Sequence, residues 1–349
     1  MRKIWLDKPY YSLDAFFRQT YGEKCYKIAL DAGMTCPNRD GALGTGGCTF
    51  CSAGGSGEFA ASRDAGSVAA QLAAGRALFG EKKTGCRYVA YFQSYTNTYA
   101  PVSYLREIYT SALSLPDSIG ISIATRPDCL GKEVLALLKE LKEQYPQKFI
   151  WIELGLQTIH ETTAESFHRG YPLAVFEDAA YALTELEIPF IVHLILGLPG
   201  ETADHMLASC AYLNRIPSTG THPFGIKLQL LHLLKGSRLG EDYLQGRLGG
   251  YNPLSLTEYI DILIHCLEVS DPETVIHRLT GDGAKALLIA PRWSLDKRNV
   301  LNTLHRTMRQ RQTYQGRCFY DAGSVDPLQA DRPLHAGQSD LSVDKGTDQ

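Results

Sequence analysis

A chain of 349 residues, 44% hydrophobic and 21% charged, has the composition of a globular protein and can bury a large core as one α/β domain or two smaller ones. No apolar run reaches the length of a membrane span, and MRKIWLDKPYYSLDAFF carries acidic and aromatic residues where a signal peptide needs an apolar core, so a cytoplasmic protein is expected. Nine cysteines in a chain this long do not make a disulfide scaffold, and the net charge of −3 argues neither for nor against nucleic acid.

Residues 1–26 carry Trp5, Tyr10, Tyr11, Phe16, Phe17 and Tyr21 and read as a lead-in that packs on the α/β core after it. Short β-branched or aromatic runs then alternate with amphipathic stretches. Strands are expected at 27–30, 88–92, 120–124, 149–156, 190–194 and 225–231, with helices at 68–79, 104–113, 132–144, 174–186 and 202–214. This alternation implies a parallel sheet with right-handed crossovers over residues 27–235, and periodicity alone leaves open sheet and barrel undecided. In the extension 236–320 the rhythm loosens. Residues 236–253 read as loop and turn, 256–269 as a helix, 275–279 as an extra strand, 281–291 as a turn into a short helix, and 299–312 as a basic helix. From Arg292 to Arg317 seven Lys or Arg residues face one acid, Asp296. Residues 321–349 are poor in hydrophobics and read as a disordered tail.

The stretch KIALDAGMTCPNRDGALGTGGCTFCSAGGSG, residues 27–57, is the strongest chemical signal. It sets Cys36, Cys48 and Cys51 in a C-x11-C-x2-C pattern after the first strand, and seven of the seventeen residues 41–57 are glycine. Thiolates at the shorter spacing can share one metal centre, and glycines let the backbone curl around it. A closed zinc site wants four ligands. No histidine precedes His160, and the nearest spare thiol is Cys25. An iron–sulfur cube held by three cysteines, with one iron open, fits the arithmetic better; a zinc site completed from far along the chain is the alternative. Cys25, Cys86, Cys129, Cys210, Cys266 and Cys318 stand singly and read as packed thiols.

The lengthened first gap with its CPNRDG and GGCTFC flanks resembles the YtqA/YhcC-type subfamily of the radical SAM superfamily, related to the Elongator catalytic subunit, over residues 10–320. The resemblance implies a partial (β/α)6 TIM-like barrel with a C-terminal extension. It also implies one three-cysteine [4Fe-4S] cluster, S-adenosylmethionine on the open iron, and an electron donor such as flavodoxin or ferredoxin. The implied reaction cleaves S-adenosylmethionine reductively to methionine and a 5′-deoxyadenosyl radical. The implied substrate is tRNA, by conversion of a carboxymethylaminomethyl group at C5 of the wobble uridine towards aminomethyl. Arg298, Arg306, Arg309 and Arg311 of the basic helix are suited to phosphates, and Tyr95 and Tyr99 to base stacking. Rival readings are a radical SAM enzyme acting on a small molecule or peptide, and a non-enzymatic iron–sulfur or zinc protein.

In parallel α/β architectures ligands sit at the C-terminal ends of strands, so polar residues there are the candidates. After the second strand come Gln93 and Asn97, which the resemblance places near the methionine amino group. ATRPDCL follows the third strand and offers Thr125, Arg126 and Asp128, with Ala124 where relatives carry a ribose-binding glutamate. Glu153 and Gln157 interrupt an apolar fourth strand, and buried polar groups need partners. The resemblance puts Gln157 on the ribose and Arg169 on the methionine carboxylate, a role suited to a guanidinium fork. His193 lies in the fifth strand, lining the cofactor site or packed in the core, before a GLPGET loop resembling the adenine-side loop. In the sixth strand, alternation places Lys227 and Gln229 on one face and His232 on the other. Substrate contacts are expected there and in HRLTGDG, residues 277–283. No residue is singled out as catalytic, and no P-loop, G-x-S-x-G or H-E-x-x-H motif occurs.

Overall fold

The computed structural model describes residues 5–55, 60, 66–77, 87–216, 225–281 and 283–319; Cys86 and the expected tail lie outside them. The strands are β1 (Tyr26–Leu30), β2 (Tyr88–Phe92), β3 (Ser118–Thr125), β4 (Phe149–Gln157), β5 (Phe190–Leu196), β6 (Gly225–Leu230), the short β7 (Leu233–Leu234), β8 (Val275–Arg278) and β9 (Leu288–Ala290). Seven of them form one parallel sheet in the order β1-β2-β3-β4-β5-β6-β8. Spatial order follows chain order without reversal, so right-handed crossovers all fall on one face. A doubly wound sheet would reverse its order and cover both faces. The chain is therefore a partial barrel, with helices outside and a concave inner face.

Strand parity divides the core accordingly. Ile28, Phe92, Ile123, Leu154, Leu194 and Leu228 point outwards against the helices α2 (Val68–Ala77), α3 (Val102–Leu113), α4 (Lys132–Gln144), α6 (Leu173–Glu185) and α7 (Ala203–Tyr212). The inner face is apolar at its lower end, where Val89, Phe149, Trp151 and Ile191 meet Phe16 and Phe17. Those two rings come from α1 (Leu13–Tyr21), which Ser12 caps by accepting the Ala15 N–H. Phe17 stacks on Trp151 with centroids 6.0 Å apart, and each fully buried ring of this kind stabilises the fold by about 1.5–3 kcal/mol. Just before α1, Ile276 N–H donates to Tyr11 O at 2.7 Å and laces the lead-in to β8. With this end plugged, the inner face among the described residues opens at the C-terminal ends of the strands.

Two stretches differ from expectation. Residues 236–253 contain a helix, α8 (Arg238–Leu244), because Ser237 caps it by accepting the Gly240 N–H at 3.1 Å. Within 281–291 the expected short helix is instead the strand β9, paired antiparallel with β7. Leu233 and Leu288 are both buried there, and Lys235 N–H donates to Leu287 O at 2.8 Å, so tertiary pairing overrides local preference. Helices α9 (Leu256–Val269) and α10 (Lys297–Gln310) complete the extension, after the short α5 (Glu161–Ser166) of the core. No helix among the described residues is long and apolar enough to cross a membrane.

Candidate functional site

The cysteine loop leaves β1 and closes on itself before any ligand is considered. Arg39 N–H donates to Cys36 O at 2.7 Å, Gly47 N–H to Asn38 O at 2.7 Å and Cys51 N–H to Cys48 O at 2.9 Å. The Asn38 amide donates to His168 O at 2.8 Å, and Thr49 N–H to Phe167 O at 3.0 Å, tying the loop to the segment after α5. Tyr95 OH donates to Ala53 O at 2.6 Å, tying it to the end of β2. At Gly55, with φ +55°, a Cβ would lie 2.3 Å from the Tyr95 ring; only glycine lets the loop approach this closely. Tyr95 is thus a strut for the loop, which limits it as a stacking platform.

Cys36, Cys48 and Cys51 are all half-buried. The neighbouring Cys51 thiol, opposed by burial and aided by Arg126, Asn38 and Arg39, pulls the Cys48 thiol down to about 7. Among the described residues no three His, Cys, Asp or Glu side chains converge tightly enough to grip a single ion.

Above the aromatic plug lies a cavity of about 170 Å³, walled on one side by Phe50 and Ser52 of the cysteine loop. Of the expected cofactor residues, Gln93, Gln157 and His193 line it. Gln157 holds a left-handed φ of 70°, uncommon for a side-chain-bearing residue, and its Oε1 has no hydrogen-bond partner among the described residues. The side chain folds over Gly155, where a Cβ would come within 2.9 Å of its Nε2. Ala124, in place of the glutamate, also faces the cavity.

The other four expected residues sit behind the mouth. Asn97 donates its amide to Ala124 O at 3.0 Å, although its Oδ1 is unpartnered among the described residues. Thr125 shares a hydrogen bond of 2.6 Å with Thr98. Arg126 forks onto Asp128 through Nε and Nη2 at 2.9 and 2.7 Å and donates Nη1 to Arg169 O. Arg169 is buried, its guanidinium committed to Tyr171 O, Thr158 O, Leu156 O and Glu161. That leaves it no free fork to present at the mouth. Arg169 instead fixes the chain between β4 and α6 to which the cysteine loop is tied.

The inner face between plug and cavity is charged. Glu153, 1% exposed, accepts from Ser122 Oγ at 2.6 Å, from His193 Nε2 at 2.7 Å, and from both Lys27 and Lys227. Lys227 Nζ also reaches Tyr91 OH at 3.1 Å and lies over the Tyr91 ring, 4.5 Å from its centroid. Burial alone would raise the Glu153 carboxyl. Lys227, Lys27 and the His193 bond outweigh it and hold that carboxyl well below its ordinary range. Burial brings Lys227 down to about 7, opposed by Glu153 and assisted by Lys27 and Arg278. Burial and Lys227 bring His193 to about 4. Its imidazole is therefore neutral near pH 7, donating from Nε2 to Glu153 and accepting at Nδ1 from Gln229 Nε2 at 3.4 Å.

Sequence reasoning flagged Glu153 as needing partners but missed Lys27, Ser122 and Tyr91. The available signal was inward parity on neighbouring parallel strands. His232 is a correction: β6 ends at Leu230, so strand alternation no longer applies and the ring turns back to line the cavity.

The chain matches the Radical SAM superfamily over residues 41–213 and the Radical_SAM C-terminal domain over residues 223–310. It is 41% identical over 313 residues to the uncharacterized protein YtqA of Bacillus subtilis (strain 168), covering 90% of this chain and 94% of that one. It is 38% identical over 273 residues to Protein YhcC of Escherichia coli (strain K12), covering 78% and 84% respectively. Among solved structures, the archaeal Methanocaldococcus infernus Elp3 lacking residues 1–46 superposes with a TM-score of 0.61 at 14% identity, over 87% of this chain and 69% of that one. That likeness shows a shared fold. Family membership implies a [4Fe-4S] cluster and S-adenosylmethionine as cofactors. The three-cysteine loop, the barrel open at one end and the close kinship with YtqA and YhcC lead to one conclusion: the chain belongs to the radical SAM superfamily, as a member of the YtqA/YhcC group related to Elongator's Elp3.

Proposed function

We propose that this radical SAM enzyme modifies tRNA, acting on a carboxymethylaminomethyl group at C5 of the wobble uridine and converting it towards aminomethyl. Cys36, Cys48 and Cys51 would hold the cluster; their loop is knit by its own hydrogen bonds and sits among the cations Arg39 and Arg126. Gln93 and Gln157 would bind polar groups of S-adenosylmethionine, and the unsatisfied Gln157 Oε1 fits a ligand that donates a hydrogen bond. When bound, the pair of cofactors supplies one-electron chemistry that no side chain can perform. The chain's own part is to orient these groups, and the aromatic plug beneath the cavity keeps water from entering at that end.

The observation that carries the tRNA reading is α10, taken with the resemblance to the Elongator catalytic subunit. Val300, Leu304 and Met308 form its buried stripe, while Lys297, Arg298, Arg306 and Arg309 are exposed. A cationic stripe of this kind suits a phosphate backbone. Mass spectrometry of tRNA nucleosides from a deletion strain is expected to show carboxymethylaminomethyl-uridine accumulating at the expense of its successors. An unchanged wobble-uridine profile would remove the tRNA reading. In binding assays, neutralising Arg306 and Arg309 should lower the slope of log affinity against log salt by about one for each phosphate no longer bound.

A further inference from the structure

Two lysines share one carboxylate beneath the cavity. Lys27 and Lys227 both bond Glu153, and all three are shielded from solvent, with side-chain exposures of 15%, 5% and 0%. Burying two ammoniums against one carboxylate is costly, which is why Lys227 falls to about 7, and an anion placed beside it would restore the full charge. An ammonium has three donors. The Lys227 partners are Glu153 and Tyr91 OH, so one of its hydrogens is left over among the described residues. Lys227 lines the cavity, and so does Arg278 from the neighbouring strand β8. The neutral His193 lies level with Lys227 across the strand pair, and Gln229 follows two residues nearer the mouth, so an uncharged imidazole and amide border the two cations.

We propose that the cavity floor is an anion subsite that receives a carboxylate of the substrate, with Lys227 and Arg278 as its donors and Glu153 holding Lys227 in place. Together with the tRNA reading, on which the identity of this acid rests, the carboxylate is that of the carboxymethylaminomethyl side chain. It is the feature that distinguishes this substrate from its aminomethyl product. A site that completes the Lys227 hydrogen bonds with a charged ligand binds an uncharged isostere less well, because the buried ammonium is then left short of an acceptor.

The test compares two anticodon stem-loop RNAs binding to the full-length protein, one bearing carboxymethylaminomethyl-uridine and the other its uncharged carboxamide. The acid is expected to bind at least about tenfold more tightly. Lys227→Met should erase that preference. Arg278→Gln, at a half-buried position, should shrink it while leaving the unfolding midpoint in place. Equal binding of the two RNAs by the wild type would overturn the subsite and leave the tRNA reading standing. If neither RNA binds, the tRNA reading fails, and free N-methylglycine against its amide decides the subsite. The acid but not the amide should then move the ¹³Cε resonance of Lys227, assigned by its loss in Lys227→Arg. Indifference of that resonance to both would overturn the inference.

Discussion

Alanine at Cys51 is expected to abolish the cluster. Anaerobically reconstituted wild type should carry about four irons per chain, and the variant less than about one. Reductive cleavage of S-adenosylmethionine should fall at least about a thousandfold, because the reaction has no other electron entry. Alanine at Cys36 or Cys48 should do the same, since two thiolates cannot hold a cube that already leaves one corner open. The fold should survive each change. The loop is tied through Arg39, Asn38, Thr49 and Tyr95 by bonds that do not involve sulfur. Alanine at Cys318, a half-buried thiol of the extension, should leave iron content and cleavage unchanged. A fully loaded and active Cys51→Ala protein would show that the ligands had been misassigned.

Glu153→Gln should be the most destabilising single change on the inner face. It leaves Lys27 and Lys227 buried without their shared counter-charge, and breaking a buried ion pair in this way costs about 3–5 kcal/mol. The pH dependence has a definite sign. The folded carboxyl is held well below 4.5, so below that pH the unfolded chain binds more protons than the folded one. Stability from Glu153 is thus present above pH 4.5 and is lost as pH falls, at a limiting slope of about 1.4 kcal/mol per pH unit. Lys227 acts in the same direction at higher pH. Its folded value is about 7 against an ordinary 10.5, so its contribution rises with pH across that window. Urea unfolding across a pH series should show the acid limb in the wild type and a weaker one in the variant. Equal stability and equal acid limbs would mean that the network carries no load.

Much of the fold was legible in the sequence because the signals were local. The six core strands follow β-branched runs, and α4 and α9 fall on the residues their periodicity marked. The cysteine motif and its glycines needed no tertiary information. What stayed hidden was set by contacts distant in sequence. Lys27 and Glu153 are 126 residues apart and Lys227 a further 74 along, so no window contains their pairing. β9 exists because β7 offers its main chain, a fact absent from residues 281–291 taken alone. Arg126 and Arg169 illustrate the converse limit. The ATRPDCL motif pointed to Arg126 and the family resemblance to Arg169, but the structure shows both guanidiniums already committed to Asp128, Glu161 and carbonyl oxygens.

The most direct test is electron paramagnetic resonance of the anaerobically reconstituted, dithionite-reduced protein, recorded with and without S-adenosylmethionine. A reduced [4Fe-4S] signal that changes shape when S-adenosylmethionine is added is the predicted result, because the added molecule would occupy the iron that no cysteine holds. A protein that carries zinc on Cys36, Cys48 and Cys51, shows no cluster signal and leaves S-adenosylmethionine intact would contradict the radical mechanism.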